Sequence, residues 1–406
     1  MSTDPTPFFP LLRLANELID QILEEVDDTQ TLRNVALTCF HLNDIVEKYL
    51  YRKISITDIW GHRSFLYALE KKPDRAKQVH ELRIRRRGLR NAYPRPSKFC
   101  SIELPFHLQV LHAMTNLKRL YIKSFKMFPS EIHSIFTRAA QGEILCSLEV
   151  CELHLDTRET ECVMDKAERG GLNGWIAAAH YFYPVFRHPN LKHLILNNVI
   201  GHPGRRAAAK PPTPLERLEI LDSELSNRGI KDALTHSSSL KELIVCPYLP
   251  FGYPLLGGTD YGAEAFAAVK NSPMNLIMCL GARVRAARPL ELHTMAALRY
   301  LAVENKCLFG YTLSEHEGLK TITVEQLKAI FPPQLEIWKV DCKADVMDTI
   351  SHALVHREAV FPKLRQIVLC EHTRYDMDPK DEEKFALAGI TLNFDCLVHP
   401  KDHRGL

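Results

Sequence analysis

The chain contains no Asn-x-Ser/Thr sequon and no Gly-x-x-x-x-Gly-Lys phosphate cradle. No Gly-x-Ser-x-Gly elbow occurs, so the usual strand-to-helix setting of a serine nucleophile is missing. His80-Glu81 and His316-Glu317 are not followed by the second histidine that a zinc protease helix requires. Cys370 and His372 stand close enough to share a metal, but two ligands are not the four of a structural zinc site. No apolar run approaches the roughly 18 residues needed to span a bilayer. The opening MSTDPTPFFPLLRL has no basic stretch followed by a long apolar one, so it does not read as a secretory signal. The cysteines number 11, an odd and scattered set that suits small core residues better than a disulfide framework. These absences leave no clustered nucleophile, base, metal set or cofactor motif. They point to a chain of the cytoplasm, the nucleus or both, with no membrane span, no catalytic role and no cofactor.

What is present is apolar material in quantity. Hydrophobic residues make up 46% and charged residues 25% of 406, ordinary for a globular chain and enough for a large core. The formal net charge is +3, but the charge is uneven. Residues 1–50 hold nine acidic and three basic side chains, whereas residues 75–98 hold nine basic ones against Glu81 alone. The basic stretch is centred on RIRRRGLR, which as a strand puts Arg83, Arg85 and Arg87 on one face and Arg86 on the other. No aromatic residues interleave with it, so a base-stacking platform is not expected. A solvated face, an acidic protein partner, or nucleic acid and nuclear import remain as readings of that cluster.

Residues 12–56 are apolar at helical spacing three times over. Leu14, Leu18, Ile19, Ile22, Leu23 and Val26 fall on one helical face, with Glu17, Asp20, Gln21, Glu24 and Glu25 on the other. Asp27-Asp28-Thr29 breaks the pattern and supplies an N-cap. A second segment groups Leu32, Val35, Ala36 and Cys39, and a third stacks Leu42, Ile45, Val46, Tyr49 and Leu50. So small a unit buries little surface alone and has no metal or disulfide set, so a partner is the natural source of further burial. A plain three-helix cap on the rest of the chain is the simpler alternative.

The stretches LANELIDQIL, TLRNVALTC and FHLNDIVEKYLYRKI resemble the F-box, whose pattern begins L-P-x-E and continues through a Leu-rich second helix to a Cys near the third. Ala15 stands where that family usually has Pro. The resemblance implies a Skp-family adaptor, and behind it a cullin, as partners. It implies adaptor contacts among Leu14, Ala15, Leu18, Ile19, Ile22, Leu32, Val35 and Ile45, some facing the adaptor and some facing inward.

Behind this region one phrase recurs: apolar-x-x-apolar-x-apolar, as VHELRI from Val79, LKRLYI from Leu117, VCELHL from Val150, LKHLIL from Leu191, LERLEI from Leu215, LKELIV from Leu240, LRYLAV from Leu298, LEIWKV from Leu335 and LRQIVL from Leu364. Helical stretches such as SEIHSIFTRAA, NRGIKDALTHSSS and VEQLKAIFPPQ precede most of them. Strand, helix and strand in nine returns resemble a degenerate leucine-rich repeat, with irregular steps from 24 to 58 residues between central apolar positions. The gap between Val245 and Leu298 leaves room for one more unit, with NLIMCLGARV from Asn275 as the candidate. F-box proteins with long irregular repeats of this kind are abundant in filamentous fungi.

The expected fold is therefore α/β: a flexible 1–9, a three-helix F-box at 10–56, and an irregular leucine-rich-repeat solenoid at 57–406, its parallel sheet carrying helices on the outer face. A globular α/β domain with a conventional parallel sheet is the alternative. The implied function is target recognition for an SCF-type cullin-RING ubiquitin ligase. The other readings are a non-ligase interaction scaffold, and an enzyme with its site in the Gly-rich loop around Thr259. Alternation in the phrases places Arg119, Tyr121, His154, His193, Ile195, Arg217, Glu219, Tyr300 and Lys339 on the sheet face away from the helices, where a target protein would bind. Their mixed charge argues against nucleic acid. The rim loops around 201–214 and 251–262 are the competing surface.

Overall fold

The structure is a computed structural model. It describes residues 10–85, 110–124, 129–155, 183–197, 200–201, 213–225, 227–235, 237, 239–247, 263–272, 274–278, 290–303, 308–309, 322–341, 350–351, 353–371, 383 and 385–396. The expected flexible 1–9, Arg86, Arg87, Thr259, His372, and nearly all of both rim loops lie outside those residues. Two compact units emerge: residues 1–124 with 143–148, and residues 125–142 with 149–406.

The first unit begins with α1 (Asn16–Glu24), α2 (Thr29–Ala36) and α3 (Phe40–Arg52). Ile19, Leu23, Leu32, Leu42 and Val46 are buried together at their centre, with Leu11, Val26, Val35, Ala36, Cys39, Ile45, Tyr49 and Leu50 packed around them. Asp28 starts α2, its carboxylate accepting from Gln30 N and from Thr31 N at 3.3 and 2.7 Å. Hydrogen bonds from the Thr31 hydroxyl and those two amides hold the Asp28 carboxyl below its ordinary range. On α3, Lys48 reaches Asp20 at 2.7 Å and the Tyr49 hydroxyl donates to the Asp20 carbonyl at 2.9 Å, clamping α3 to α1.

The chain then forms β1 (Lys53–Ile56), α4 (Ile59–Lys71), α5 (Arg75–Gln78), β2 (Glu81–Arg85) and β3 (Arg119–Ser124). Asp58 caps α4, accepting from Gly61 N at 2.7 Å. Glu47 of α3 accepts from Lys72 and, at 2.7 Å, from Arg75 Nε, which ties α3 to the next helices. Partial burial pushes the Glu47 carboxyl up. The hydrogen bonds and charges of Lys72 and Arg75 outweigh that and hold it below the usual carboxylate range. The strands run parallel, with Ile54 opposite Leu82 opposite Leu120 and Ile56 opposite Ile84 opposite Ile122. Those rows form the helix-covered face.

The second unit contains β4 (Val150–Leu155), β5 (His193–Asn197), a short β6 (Ile200–Gly201), β7 (Arg217–Leu225), β8 (Glu242–Pro247), β9 (Asn275–Met278), β10 (Tyr300–Val303), β11 (Ile337–Asp341), β12 (Gln366–Glu371) and β13 (Thr391–Cys396). Apart from β6, which pairs only with β7, they lie side by side in chain order, every pair parallel. A doubly wound sheet reverses its strand order at a switch point. This one does not, and its one-directional order is compatible with a repeat solenoid. Helices return the chain between strands, among them Pro129–Ala140, Asn227–Thr235 and Val324–Ile330. Gly142, at φ +76°, closes the first of these in the left-handed conformation that glycine adopts without strain. The last is opened by a capping box, Thr323 and Gln326 each accepting from the other's backbone amide.

The phrase read from the sequence becomes the buried rows. Leu194, Leu218, Leu243, Leu276, Leu301, Trp338 and Ile367 align across the sheet, and all are essentially inaccessible. Two differences from the sequence reading appear, at Val150 and in the number of strands, while the candidate unit at Asn275 is found. The phrase expected from Val150 begins two residues earlier, at Leu148, because Cys151 is the residue opposite Leu194. Leu148, Cys151 and Leu153 are the buried set, and burial pushes the Cys151 thiol far up from its ordinary range. Asn275–Met278 does form a strand, between β8 and β10. Lys53–Ile56 and Thr391–Cys396 are strands that the repeat count missed.

Candidate functional site

Two surfaces carry the residues singled out in the sequence. The first is on the three-helix segment. Of the expected adaptor contacts, Ile19 and Leu32 are buried within the segment, and Val35 and Ile45 are half-buried against the same core. Leu14, Leu18 and Ile22 point outward, 37%, 47% and 44% exposed. Spaced by four, they make one stripe along α1 and its approach. Ala15, between them and the helix, is also exposed. A surplus was legible because α1 has more apolar residues than one core face needs.

Three further exposed apolar residues were not expected there: Leu12, just before α1 and 47% exposed, and two where α2 meets α3. Leu37, which ends α2, and Phe40, which begins α3, are 77% and 81% exposed. The ring of His41 lies 3.1 Å from the Asn16 side chain, which sets the start of α3 beside the start of α1. A segment with six large apolar side chains in water and its own core satisfied behind them carries apolar surface suited to burial by another molecule.

The second set of residues lies, within each unit separately, on the sheet face away from the helices. In the first unit that face carries Lys53, Ser55, Glu81, Arg83, Arg85, Arg119, Tyr121 and Lys123. Arg119 is exposed and Tyr121 half-buried, with the Arg83 guanidinium 4.8 Å from the Tyr121 ring centre. In the second unit, His193 and Arg217 are neighbours in one row. Both converge on Glu219, His193 Nε2 at 2.8 Å and Arg217 Nε at 3.0 Å, while Arg217 also reaches Glu242 at 2.7 Å. His154 pairs with Glu152. Tyr300 shares the Arg217 row three strands away, roughly 14 Å at the usual strand spacing. Tyr300 and Lys339 are half-buried.

Two of the expected target contacts are not on open surface. Ile195 and Glu219 face the expected way but are buried, with 6% and 4% exposure. Ile195 belongs to a second apolar cluster with Leu221, Ile244 and Cys246, against which Ile277 packs. The signal for this lay in LIL, LIV and LIM, runs that are apolar on both strand faces, as in strands buried on both sides. Glu219 is a buried carboxylate engaged by its Arg and His neighbours.

Among the described residues no group of three or more His, Cys, Asp or Glu side chains could hold a metal ion. Among them, too, no helix is long and apolar enough to cross a membrane. Compared with known proteins, the chain matches no family model, and no curated protein sequence matches it.

Proposed function

We propose that this chain is the target-recognition subunit of an SCF-type cullin-RING ubiquitin ligase, with α1–α3 docking on a Skp-family adaptor and the sheet face of the repeats holding a target protein. The observation that carries this reading is the outward stripe of Leu14, Leu18 and Ile22, joined by Leu37 and Phe40, on three helices whose own core is complete. Fully burying side chains of this size stabilises a contact by about 1.5–3 kcal/mol each. In this reading the chain makes and breaks no bond itself. It raises the effective concentration of a target lysine near the charged conjugating enzyme. Its target contacts are the accessible members of the sheet-face set: Arg119, Tyr121, His154, His193, Arg217, Tyr300 and Lys339.

The test is co-expression with a Skp-family adaptor and affinity capture. Leu18→Glu with Ile22→Glu leaves the interior intact, because both side chains already face water. At a buried contact, however, it would place two unpaired charges, which is prohibitive. Adaptor capture should be lost while circular dichroism stays that of the native chain, and undiminished capture would overturn the reading. Adaptor capture without recovery of a cullin would favour the non-ligase scaffold instead.

A further inference from the structure

The open face of the β1–β3 sheet is strongly cationic, and adaptor docking on α1–α3 makes no use of it. Arg83, Arg85, Arg119 and Lys123 share it with one carboxylate, Glu81. Glu81 is buried and engages Arg83 at 2.5 Å and Arg119 at 3.8 Å. Lys53, at the end of the same row, is taken by Asp27 at 2.7 Å. Arg85 and Lys123 lie directly opposite one another in register, both exposed, and among the described residues neither has an ion pair. Like charges opposite one another on neighbouring strands are destabilising. Four cations against one acid therefore leave an uncompensated field directed outward from a flat, hydrogen-bonded platform.

We propose that this face binds an extended acidic protein segment, bearing carboxylates or phosphates at alternate positions. Three features select that occupant. Arg83 and Arg85 are two residues apart on one strand, and Arg119 and Lys123 four apart on the next. At about 3.3 Å rise per residue the cations stand ~7 or ~13 Å apart, the spacing of every second or every fourth side chain in an extended peptide laid along the strands. Guanidinium groups engage carboxylate and phosphate oxygens in two-pronged hydrogen bonds, and the Arg83 and Arg119 side chains retain 41% and 59% exposure for this. A single-stranded nucleic acid would need rings to stack on. The one ring on the described face, Tyr121, already lies against the Arg83 guanidinium. The inference does not rest on the ligase reading, since a chain that failed to hold an adaptor could still hold this segment.

The test uses the full chain and fluorescence anisotropy with labelled peptides of alternating Ser-Glu, alternating Ser-phosphoserine and, as a neutral control, alternating Ser-Gln, together with a single-stranded oligonucleotide. The native chain should bind at least one acidic peptide, more weakly as salt is raised, and should ignore the neutral one. Capture of the phosphopeptide alone would assign phosphate as the recognised group; capture of both would show that carboxylates suffice. Arg85→Glu with Lys123→Glu should weaken binding about tenfold or more. Lys270→Glu with Lys363→Glu makes the same change in net charge at exposed sites in the second unit and should leave binding unchanged. No acidic peptide bound, equal loss in both variants, no loss in the first, or tighter binding of the oligonucleotide would each overturn the proposal.

Discussion

At Ala15 the backbone already has the conformation that proline would impose, with φ −62° and ψ 148°. Proline fixes φ near −65° and removes the backbone N–H. Here that loss is free, because among the described residues no acceptor takes the Ala15 N–H, while the Ala15 carbonyl accepts from Leu18 and Ile19 as α1 starts. Ala15→Pro should therefore raise stability by ~0.4–1 kcal/mol, mainly by restricting the unfolded chain, read as a higher urea midpoint at unchanged slope. A lower midpoint would show that Leu14 cannot accept the restriction a following proline brings. Leu14, Leu18 and Ile22 could be placed from the sequence only as members of one apolar face with Ile19, Leu23 and Val26; which of them turn outward is settled by how α2 and α3 pack. Ile195 and Glu219 show the same limit. Strand alternation says which face a side chain takes but not how deeply that face is covered, and an apolar cluster on the second face depends on what packs over it.

Between strands, the residue after each leading Leu forms a ladder of its own. In the second unit Lys192 N donates to Glu149 O, Glu216 N to Lys192 O and Lys241 N to Glu216 O, at 2.9, 2.8 and 2.7 Å. Their side chains alternate in sign along the same line, with Lys192 3.4 Å from Glu149 and Lys241 2.9 Å from Glu216. Arg299, Glu336 and Arg365 repeat the alternation further on, at 3.6 and 2.9 Å. The pairs lie at the surface, with Glu336 half-buried, and each is worth about 1 kcal/mol or less. As a set they oppose any slip that would bring like charges together. Glu336→Lys places three cations in line and should cost about 1 kcal/mol in chemical denaturation, and adding Arg299→Glu and Arg365→Glu, beside which the neighbouring strands open on the neutral Asn275 and Thr391, should recover most of it. Failure of the triple change to recover stability would show that the charges do not communicate along the ladder. The alternation is visible in LKHLIL, LERLEI and LKELIV once the phrases are stacked, but stacking needs the right frame. Leu155 drew one frame two residues late because Cys151, a small apolar residue, does not announce itself as a core position. KISI and TLNFDC escaped the count for a related reason: each is short of leucines, and its place in the sheet is set by pairing with the neighbouring strand.

For the molecule as a whole, strand order sets where stability is held. In the second unit β7, β8, β11 and β12 each have a neighbour on both sides, whereas β13 pairs with β12 alone among the described strands. In an array held by nearest-neighbour contacts the end unit opens at lower free energy than the interior. Amide hydrogen exchange followed by mass spectrometry should thus find Thr391–Cys396 exchanging before the amides of β7, β8 and β11. Equal protection throughout would mean that the unit opens as one block. The same order bears on how the protein is born. A chain leaving the ribosome presents its strands one at a time, and within each unit every strand after the first, the two-residue β6 apart, arrives to find its earlier neighbour already synthesised. No strand has to wait, with its edge bare, for a partner encoded much later, so each hydrogen-bonding edge is exposed only for the time needed to translate the next connection.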